Sequence, residues 1–491
     1  MNQSCRQCKH QFEVTEDDQV FYDKMKVPVP ALCPDCRLKR RFFFRNEMTL
    51  YSRPCDLCKK TTIAMFHPKS PYTVYCKECF DSDKWDPFSY GMDYDPKRPF
   101  FEQLNELFLK VPKKNLYASS ASAPSVNSDY LNMAGSCKDS YLVFNTAYCE
   151  NTMFSRGLAR CKDTLDAYFG NENEGCYEII NVNKSFNVHH GQNLVNSLDC
   201  IFAMSLADCQ NCFGCINLRH KSFNFFNEQL SKDEYMKRVN EISAKEGKDC
   251  YDAMGHTFGA ELMLDVVGCG FGSRVIGSYW VENCNDVEYS YCINVSDYCL
   301  GCDGLNKTKY AILNKKYSPE EYTKLRSKII EELKSLGEYG LCMPPFLSPS
   351  GYNETFGMDN VPLTKGEVLA LGGKWQDDLP GSRGKETMKS NAIPDHIYDV
   401  PNSILNEILG CVTCGKNYRI IKQELAFYRK AVLPLPRKCF TCRNHERVLK
   451  RGPLKLFDRK CGKCQKGIKT SYAPYRPEIV WCESCYQKEV V

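Results

Sequence analysis

Cysteine is the residue type through which this chain could do chemistry, and the chemistry is metal binding. Sixteen of the 31 cysteines form eight C-x2-C pairs, all near the two ends of the chain. Two such pairs supply four thiolates to one tetrahedral zinc ion and leave no open position for a substrate. The predicted zinc ligands are Cys5, Cys8, Cys33, Cys36, Cys55, Cys58, Cys76, Cys79, Cys411, Cys414, Cys439, Cys442, Cys461, Cys464, Cys482 and Cys485.

The two sets of ligands have the same spacing. Cys411 lies 406 positions after Cys5, and every other ligand of the first set has a counterpart at this offset. Both ends therefore read C-x2-C-x24-C-x2-C-x18-C-x2-C-x17-C-x2-C, which indicates a duplicated module. We predict two structural zinc ions per module and four per chain. Pairing of consecutive C-x2-C pairs is the simplest arrangement. A cross-braced arrangement, first pair with third, is the second choice because the middle gap of 18 residues is long.

A knuckle, a hairpin and a helix must position these ligands. RLKRRFFFRNEM follows Cys36, and CFTCRNHERVL begins at Cys439, and each segment predicts a helix that starts at the second knuckle of its module. This arrangement is typical of a treble-clef or zinc-ribbon fold. A redox role is disfavoured, because a thioredoxin-like C-x-x-C is normally single and lies in a βαβ unit.

The residues around the knuckles also resemble a known kind of domain. CRQCKHQFEV and FYDKMKVPVPALCPDCRLKRR are similar to short zinc-ribbon domains with a C-x2-C…FY…P…CPxCR core. With its continuation YCKECFDSDKWDPFSYG, the chain resembles a long uncharacterised zinc-binding family from small-genome uncultivated bacteria. The resemblance implies a zinc-ribbon or treble-clef fold with bound zinc, and it implies no activity.

Charge is segregated along the chain. Residues 1–80 carry a net charge of +5, residues 409–491 carry +13, and the chain as a whole carries only +5, so residues 81–408 carry −13. A basic module suggests a polyanionic partner, and we predict RNA or DNA binding by the C-terminal module. The alternative is that these cations offset the charge of the zinc thiolates. The predicted nucleic-acid-binding residues are Arg437, Lys438, Arg443, Arg447, Lys450, Arg451, Lys455, Arg459 and Lys460.

The middle of the chain repeats in a different way. Cys137, Cys149 and Cys161 are 12 residues apart and begin short β-rich runs separated by Asn, Asp and Gly. Such spacing predicts a β-solenoid, or β-helix, with coils of about 12 or about 24 residues. We expect its cysteines to form a buried ladder, because Cys is among the most buried residue types. An additional metal site among them is the alternative.

The solenoid is itself duplicated. CFGCINLRHKSFNFFNEQLSKDEY from Cys212 aligns with CLGCDGLNKTKYAILNKKYSPEEY from Cys299 at an offset of 87. The endings SKDEY and SPEEY have Ser at the N-cap and Glu three residues later, which predicts helices at 232–246 and 319–336. A helix that covers the end of a solenoid protects its edge strands.

The fold class that follows is mainly β, with a central duplicated β-solenoid between two treble-clef or zinc-ribbon modules that bind two zinc ions each. The predicted segments are the N-terminal module (1–80), a connector with an amphipathic helix (81–126), two solenoid halves with closing helices (127–246 and 247–341), a Pro/Gly-rich extended linker (342–408) and the C-terminal module (409–491). A short helix is predicted in DVPNSILNEIL near the end of the linker.

These features favour a non-enzymatic zinc protein that associates with nucleic acid through its C-terminal module, with the acidic solenoid as scaffold. The alternative is a structural, self-assembling or protein-interaction scaffold in which the modules cap the solenoid, its partner being a second copy or another protein. No nucleotide-binding or hydrolase motif occurs. No apolar run approaches the roughly 18–20 residues that span a bilayer, and no signal peptide is recognisable. We therefore expect a cytoplasmic protein with neither a membrane nor a small-molecule partner.

Overall fold

A computed structural model of the protein describes residues 1–117, 125–242, 261–264, 267–270, 273–452 and 456–490. The chain divides into two compact units, one made of Met1–Tyr117 and His256–Leu379, the other of Ala118–Gly255 and Pro380–Val491. Each unit combines one cysteine module with one half of the solenoid. The N-terminal module belongs with the second half and the C-terminal module with the first.

The first unit contains the N-terminal module, the connector and the second solenoid half. Its module has strands Asn2–Ser4, Gln11–Glu13, Tyr51–Pro54, Thr61–Ala64 and Val74–Tyr75, and helices Glu16–Met25, Pro34–Phe42 and Lys77–Phe80. The connector has a 3₁₀ turn Pro87–Tyr90, a helix Phe100–Lys110 and a strand Lys113–Lys114. The solenoid half has strands Glu261–Leu264, Val267–Gly270, Ser273–Ile276, Tyr279–Glu282, Asn285–Glu288, Tyr291–Asn294, Asp297–Leu300 and Lys309–Ile312. Strand Lys315–Lys316, helices Pro319–Ser335, Gly357–Asn360 and Lys365–Ala370, and 3₁₀ turns Pro345–Leu347 and Tyr352–Glu354 follow.

The second unit contains the first solenoid half and the C-terminal module. The solenoid strands are Asn132–Gly135, Tyr141–Ala147, Glu150–Ala159, Lys162–Leu165, Tyr168–Asn171, Ile180–Asn183, Leu198–Ile201, Gln210–Phe213 and Ser222–Phe225, followed by strand Glu228–Gln229 and helix Lys232–Ile242. The module and the segment before it contain strands Met388–Lys389, Leu409–Gly410, Asn417–Tyr418, Phe457–Lys460 and Gly467–Thr470, helices Lys422–Ala431, Phe440–Arg451 and Glu483–Val490, and 3₁₀ turns Ser390–Ala392, Ile397–Asp399 and Asn402–Asn406.

The solenoid coil contains twelve residues. Its strands pair in parallel with residues twelve positions away, as Lys162 does with Glu150 and Leu198 with Gln210. Isolated bridges such as Phe186 to Leu198 keep the same register. Of the two coil lengths compatible with the sequence, the structure therefore has the shorter one.

Within a coil the backbone repeats every three residues. Cys161 points into the coil and is 1% exposed, Lys162 pairs with the neighbouring coils, and Asp163 is left-handed at φ 47°. The next triplet repeats the pattern, ending on Asp166 at φ 55°. Because Asn and Asp tolerate the left-handed region better than other side chains, their abundance in the middle of the chain follows from this repeat. Four triplets make one four-sided coil.

Small polar side chains inside the coil satisfy backbone groups that face inward. The Ser155 hydroxyl donates to the Met153 carbonyl at 2.7 Å and accepts the N–H of Ala167, one coil further on, at 3.0 Å. The Cys149 thiol accepts the N–H of Cys161 in the same way at 3.3 Å. A buried N–H without a partner is costly, so these positions favour Ser, Thr, Asn or Cys over purely apolar residues.

The predicted buried cysteine ladder is confirmed. Inward-facing buried cysteines are Cys137, Cys149, Cys161, Cys176, Cys200, Cys209, Cys212, Cys215, Cys284, Cys299 and Cys302. Cys292 is half-buried at a left-handed position instead. Among the described residues, these cysteines form no group of three or more that could share a metal ion.

The predicted helices are mostly present. Ser318 and Glu321 form both bonds of a capping box at the start of Pro319–Ser335, and Ser231 caps the Lys232–Ile242 helix through the N–H of Glu234 at 3.3 Å. Residues 243–246 of the first predicted helix lie outside the described residues. The predicted helix in DVPNSILNEIL is only the 3₁₀ turn Asn402–Asn406, which begins directly after Pro401. No described helix is both long and apolar enough to cross a membrane.

Residues 342–408 are packed rather than extended. In the first unit, the tilted ring of Tyr352 packs against Phe43 with ring centroids 4.6 Å apart, and Phe356 is buried. In the second unit, Ile393 and Ile397 are buried in the same cluster as Leu425. The segment therefore differs from the predicted linker, because its apolar side chains complete the cores of both units.

We expect Ser155→Ala to lower the free energy of unfolding by about 1–3 kcal/mol, because the buried N–H of Ala167 loses its acceptor. Ser155 is 1% exposed. The matched control is Ser222→Ala, at a half-buried position on the outside of the same solenoid half, where we expect a change within about 0.5 kcal/mol. Urea unfolding of the metal-loaded protein measures both. Equal effects of the two substitutions would show that the inward N–H does not depend on the hydroxyl.

Candidate metal centres

Each of the four centres begins with a C-x2-C pair in the turn of a hairpin. In the first, the N–H of Cys5 donates to the His10 carbonyl at 2.9 Å, and the N–H of Lys9 donates to the Cys5 carbonyl at 2.9 Å. The same two bonds recur at the other three centres. The residue after each pair is left-handed, with φ between 61° and 69°, and these residues are Lys9, Lys59, Gly415 and Gln465.

The second pair of each centre lies at the start of a helix. Cys33, Cys76 and Cys439 are the N-cap residues of Pro34–Phe42, Lys77–Phe80 and Phe440–Arg451, and Cys482 directly precedes Glu483–Val490. The N-terminus of a helix carries partial positive charge, which favours a thiolate, but burial outweighs this effect and raises the pKa of Cys33, Cys76 and Cys439. Hairpin knuckle and helix together form the predicted treble-clef arrangement.

The sixteen cysteines form four tetrads, within each of which the sulfurs lie within 4.8 Å of one another. Sulfurs of successive pairs approach to 3.7, 3.8, 3.7 and 3.6 Å. A tetrahedral site with Zn–S bonds of about 2.3 Å requires sulfurs about 3.8 Å apart, so the tetrads fit a metal of that size. Each tetrad joins consecutive pairs, which confirms the sequential pairing and shows that the cross-braced alternative is wrong. The tetrads are Cys5, Cys8, Cys33 and Cys36; Cys55, Cys58, Cys76 and Cys79; Cys411, Cys414, Cys439 and Cys442; Cys461, Cys464, Cys482 and Cys485.

The first thiol of each centre is the most easily ionised. Burial raises the pKa of Cys5, but the backbone N–H groups of Cys33, Cys8 and Gln7 outweigh burial and lower it to about 6. At Cys55, Cys411 and Cys461 burial also raises the pKa, and backbone N–H groups again outweigh it and lower the pKa to about 6. In contrast, burial and neighbouring sulfurs raise the pKa of Cys36. All four thiols ionise together only when a cation compensates their charge, and this is how metal binding releases protons.

Three of the nine predicted nucleic-acid-binding residues are buried in the second unit. Arg443 and Arg447 are 7% and 1% exposed, and Arg451 is 9% exposed. Arg451 donates to the Tyr168 hydroxyl at 3.4 Å. These three side chains are directed at the solenoid and not at solvent, and nucleic-acid binding by them stays a prediction.

The acceptor of the buried arginines is an acidic cluster. Arg443 donates to the fully buried carboxylate of Asp166, and Arg447 lies 3.1 Å from the other oxygen of Asp166. Arg447 also lies 3.3 Å from Glu178, and Arg443 lies 3.4 Å from Glu424. We call these five residues the arginine clamp. In the first unit, Arg40 donates to Glu338 at 2.5 Å.

The other predicted basic residues are mostly engaged locally. Arg437 forms an ion pair with Asp395 at 2.5 Å, Lys438 pairs with Glu446, and Arg459 donates to the Glu478 carbonyl at 3.1 Å. Lys450 also has an interaction partner, Lys460 is exposed, and Lys455 lies outside the described residues. The carboxylates of the clamp were not recognised from sequence, where the only signal was the acidic balance of the middle region.

Comparisons with known proteins add little. No protein family matches the chain, and no curated protein does. Among solved structures, UDP-N-acetylglucosamine O-acyltransferase from Moraxella catarrhalis is 12% identical, with 45% of this chain and 90% of that chain covered and a TM-score of 0.08. A likeness this weak carries no argument about function.

We expect the clamp to make stability depend on pH through Glu424. Burial raises the pKa of Glu424 from its ordinary 4.5 to about 8, against the opposing effect of Arg443. A carboxyl with a raised pKa in the folded state stabilises the fold at low pH, and this stability is lost as pH rises from 4.5 to about 8. Glu424→Gln should therefore remove the part of the fall in the free energy of unfolding, between pH 4.5 and about 8, that Glu424 causes. Urea unfolding of metal-loaded protein between about pH 6 and about pH 9 compares the slopes, and identical slopes would contradict a protonated Glu424.

Proposed function

We propose that the protein is a non-catalytic scaffold whose two modules fold around four structural zinc ions. The observation that carries the proposal is the tetrad geometry, in which every centre is closed by four cysteine sulfurs. Closed thiolate sites stabilise folds, whereas catalytic zinc sites keep one position for water or substrate. Four thiolates also suit iron. The C-x2-C knuckles at hairpin turns and helix starts favour zinc, because this is the usual construction of structural zinc sites.

The arginine clamp favours a scaffold over a nucleic-acid-binding protein. The basic residues that suggested a polyanionic partner include Arg443 and Arg447, which are paired with carboxylates of the same unit. Their charge is used to attach the C-terminal module to the solenoid. RNA or DNA binding stays a prediction, and it would have to rely on exposed cations such as Lys460.

Elemental analysis of the purified native protein should give about four zinc ions per chain. Cys461→Ser should reduce the content to about three, because one ligand of the fourth centre is lost. Cys215→Ser is the matched control, because this cysteine faces the solenoid interior and its variant should keep four. Iron in place of zinc, or fewer ions in both variants alike, would contradict the assignment.

Fluorescence anisotropy with labelled single-stranded RNA and DNA separates the two functional candidates. The scaffold proposal expects no saturable binding at low salt, where phosphate contacts are strongest. Binding that weakens steeply with salt and is reduced by Lys460→Glu would instead support the nucleic-acid candidate. Zinc content measured on the same samples shows whether the module is folded in each case.

A further inference from the structure

In the N-terminal module, the second metal centre is completed by a strand from outside the module. Lys113–Lys114 pairs in parallel with Val74–Tyr75. The N–H groups of Lys113 and Asn115 donate to the carbonyls of Thr73 and Tyr75 at 2.8 and 2.9 Å. The added strand also accepts the N–H of Met65 at Asn115, at 3.0 Å. It therefore lies between the hairpin of the knuckle and the segment that leads to the second pair of ligands.

The connector also covers this centre with an aromatic side chain. Trp85 packs against Tyr75 and Phe80, with ring centroids 5.9 and 4.8 Å apart, and donates to the Phe80 carbonyl at 2.8 Å. The ligands Cys76 and Cys79 are consequently only 8% and 6% exposed. Strand and tryptophan together shield the second centre of the N-terminal module from water.

The C-terminal module repeats the local backbone of this centre. At the offset of 406, Ile479, Val480 and Trp481 correspond to Thr73, Val74 and Tyr75. The Val480 carbonyl accepts the N–H of Gly462 at 2.8 Å, as the Val74 carbonyl accepts the N–H of Asp56 at 2.8 Å. The main-chain geometry that receives the strand in the first module is thus preserved in the second.

The two modules differ in whether a strand and a tryptophan shield the second centre. Within the part of the chain that the structure describes, no strand pairs with residues 479–481. Ile479 is 78% exposed and Tyr475 is 87% exposed. The ligands Cys482 and Cys485 are half-buried, unlike their counterparts in the N-terminal module. An unpaired edge with apolar side chains beside it is a template for strand addition.

We propose that residues 479–481 are a docking edge for an extended segment of a partner protein. The segment adds a parallel strand whose N–H groups donate to the carbonyls of Ile479 and Trp481. It also brings an aromatic residue against Trp481 and Tyr486, the counterparts of Tyr75 and Phe80. We infer these two requirements, a strand and an aromatic residue, from the N-terminal module, where Lys113–Lys114 and Trp85 occupy the equivalent edge. In such complexes, main-chain hydrogen bonds supply affinity and side-chain pockets supply specificity. The inference rests on the proposed scaffold function and identifies where the scaffold holds a partner.

The test uses the connector as a probe in trans on the full zinc-loaded chain. A labelled peptide of residues 81–117 carries both the strand and the tryptophan that occupy the equivalent edge. We expect saturable binding by fluorescence anisotropy and slower amide hydrogen exchange around Trp481. A control peptide with Asn115→Pro lacks the N–H that donates to the Tyr75 carbonyl in the N-terminal module and would donate to the Trp481 carbonyl here. It should bind at least about tenfold more weakly.

Two variants of the protein locate the binding site. Ile479→Asp places a charge on the docking edge and should weaken peptide binding about tenfold or more. Leu449→Asp is the matched control, because Leu449 is also apolar and 58% exposed but lies on the Phe440–Arg451 helix, and it should bind the peptide like the unchanged protein. Both positions are exposed, so both variants should fold and keep four zinc ions.

The inference would be overturned if the peptide did not bind to fully zinc-loaded protein, or if Ile479→Asp bound it as well as the unchanged protein does. It would also be overturned by a dimer in light scattering that Ile479→Asp dissociates, because the occupant of the edge would then be a second copy. Protection of the Trp481 amide by RNA in place of the peptide would also count against it. A zinc content other than four would instead refute the scaffold proposal, so the two failures are distinguishable.

Discussion

The narrowness of the twelve-residue coil is the constraint on which the rest of the structure depends. A four-sided coil with three residues per side encloses a thin core of thiols and aliphatic side chains, such as Cys161 and Leu158, and its inward N–H groups need acceptors such as Ser155 and Cys149. A second set of large apolar residues, Met153, Leu165 and Tyr177 among them, points outward and is buried in one cluster with residues of the C-terminal module. The solenoid half therefore contributes to two cores, the thin one inside its coils and a second one that it shares with its module.

The module in turn is built around its two cysteine tetrads. Its helices are short, and the Phe440–Arg451 helix begins at the ligand Cys439. This helix carries Arg443 and Arg447, whose guanidinium groups reach the buried carboxylate of Asp166. Removing one partner from a buried ion pair leaves an uncompensated charge that costs about 3–5 kcal/mol. In the second unit, the tetrad residue Cys439 thus begins the helix that carries the arginines, and these arginines attach the module to the solenoid.

Duplication explains both the likeness and the difference of the two modules. The knuckle hydrogen bonds and the lowered pKa of the first thiol recur at all four centres, since they depend only on the backbone of the centre itself. The surroundings differ, because Lys113 and Trp85 cover one second centre whereas Ile479 is exposed at the other. Two copies of one fold can therefore serve as a closed structural element and as a docking edge.

The cysteine tetrads, their consecutive pairing as first choice, the duplications and the solenoid class were all determined by sequence, because each follows from regular spacing along the chain. Coil length stayed open, since cysteines 12 residues apart fit one coil or half of one. The parallel pairing of residues twelve positions apart, which the structure shows, decides it. Only the tertiary structure decided what the basic residues contact: Arg443 meets Asp166 across 277 positions, and no local pattern specifies such a pair. The same holds for the grouping of each module with a solenoid half, which packing of distant apolar surfaces determines.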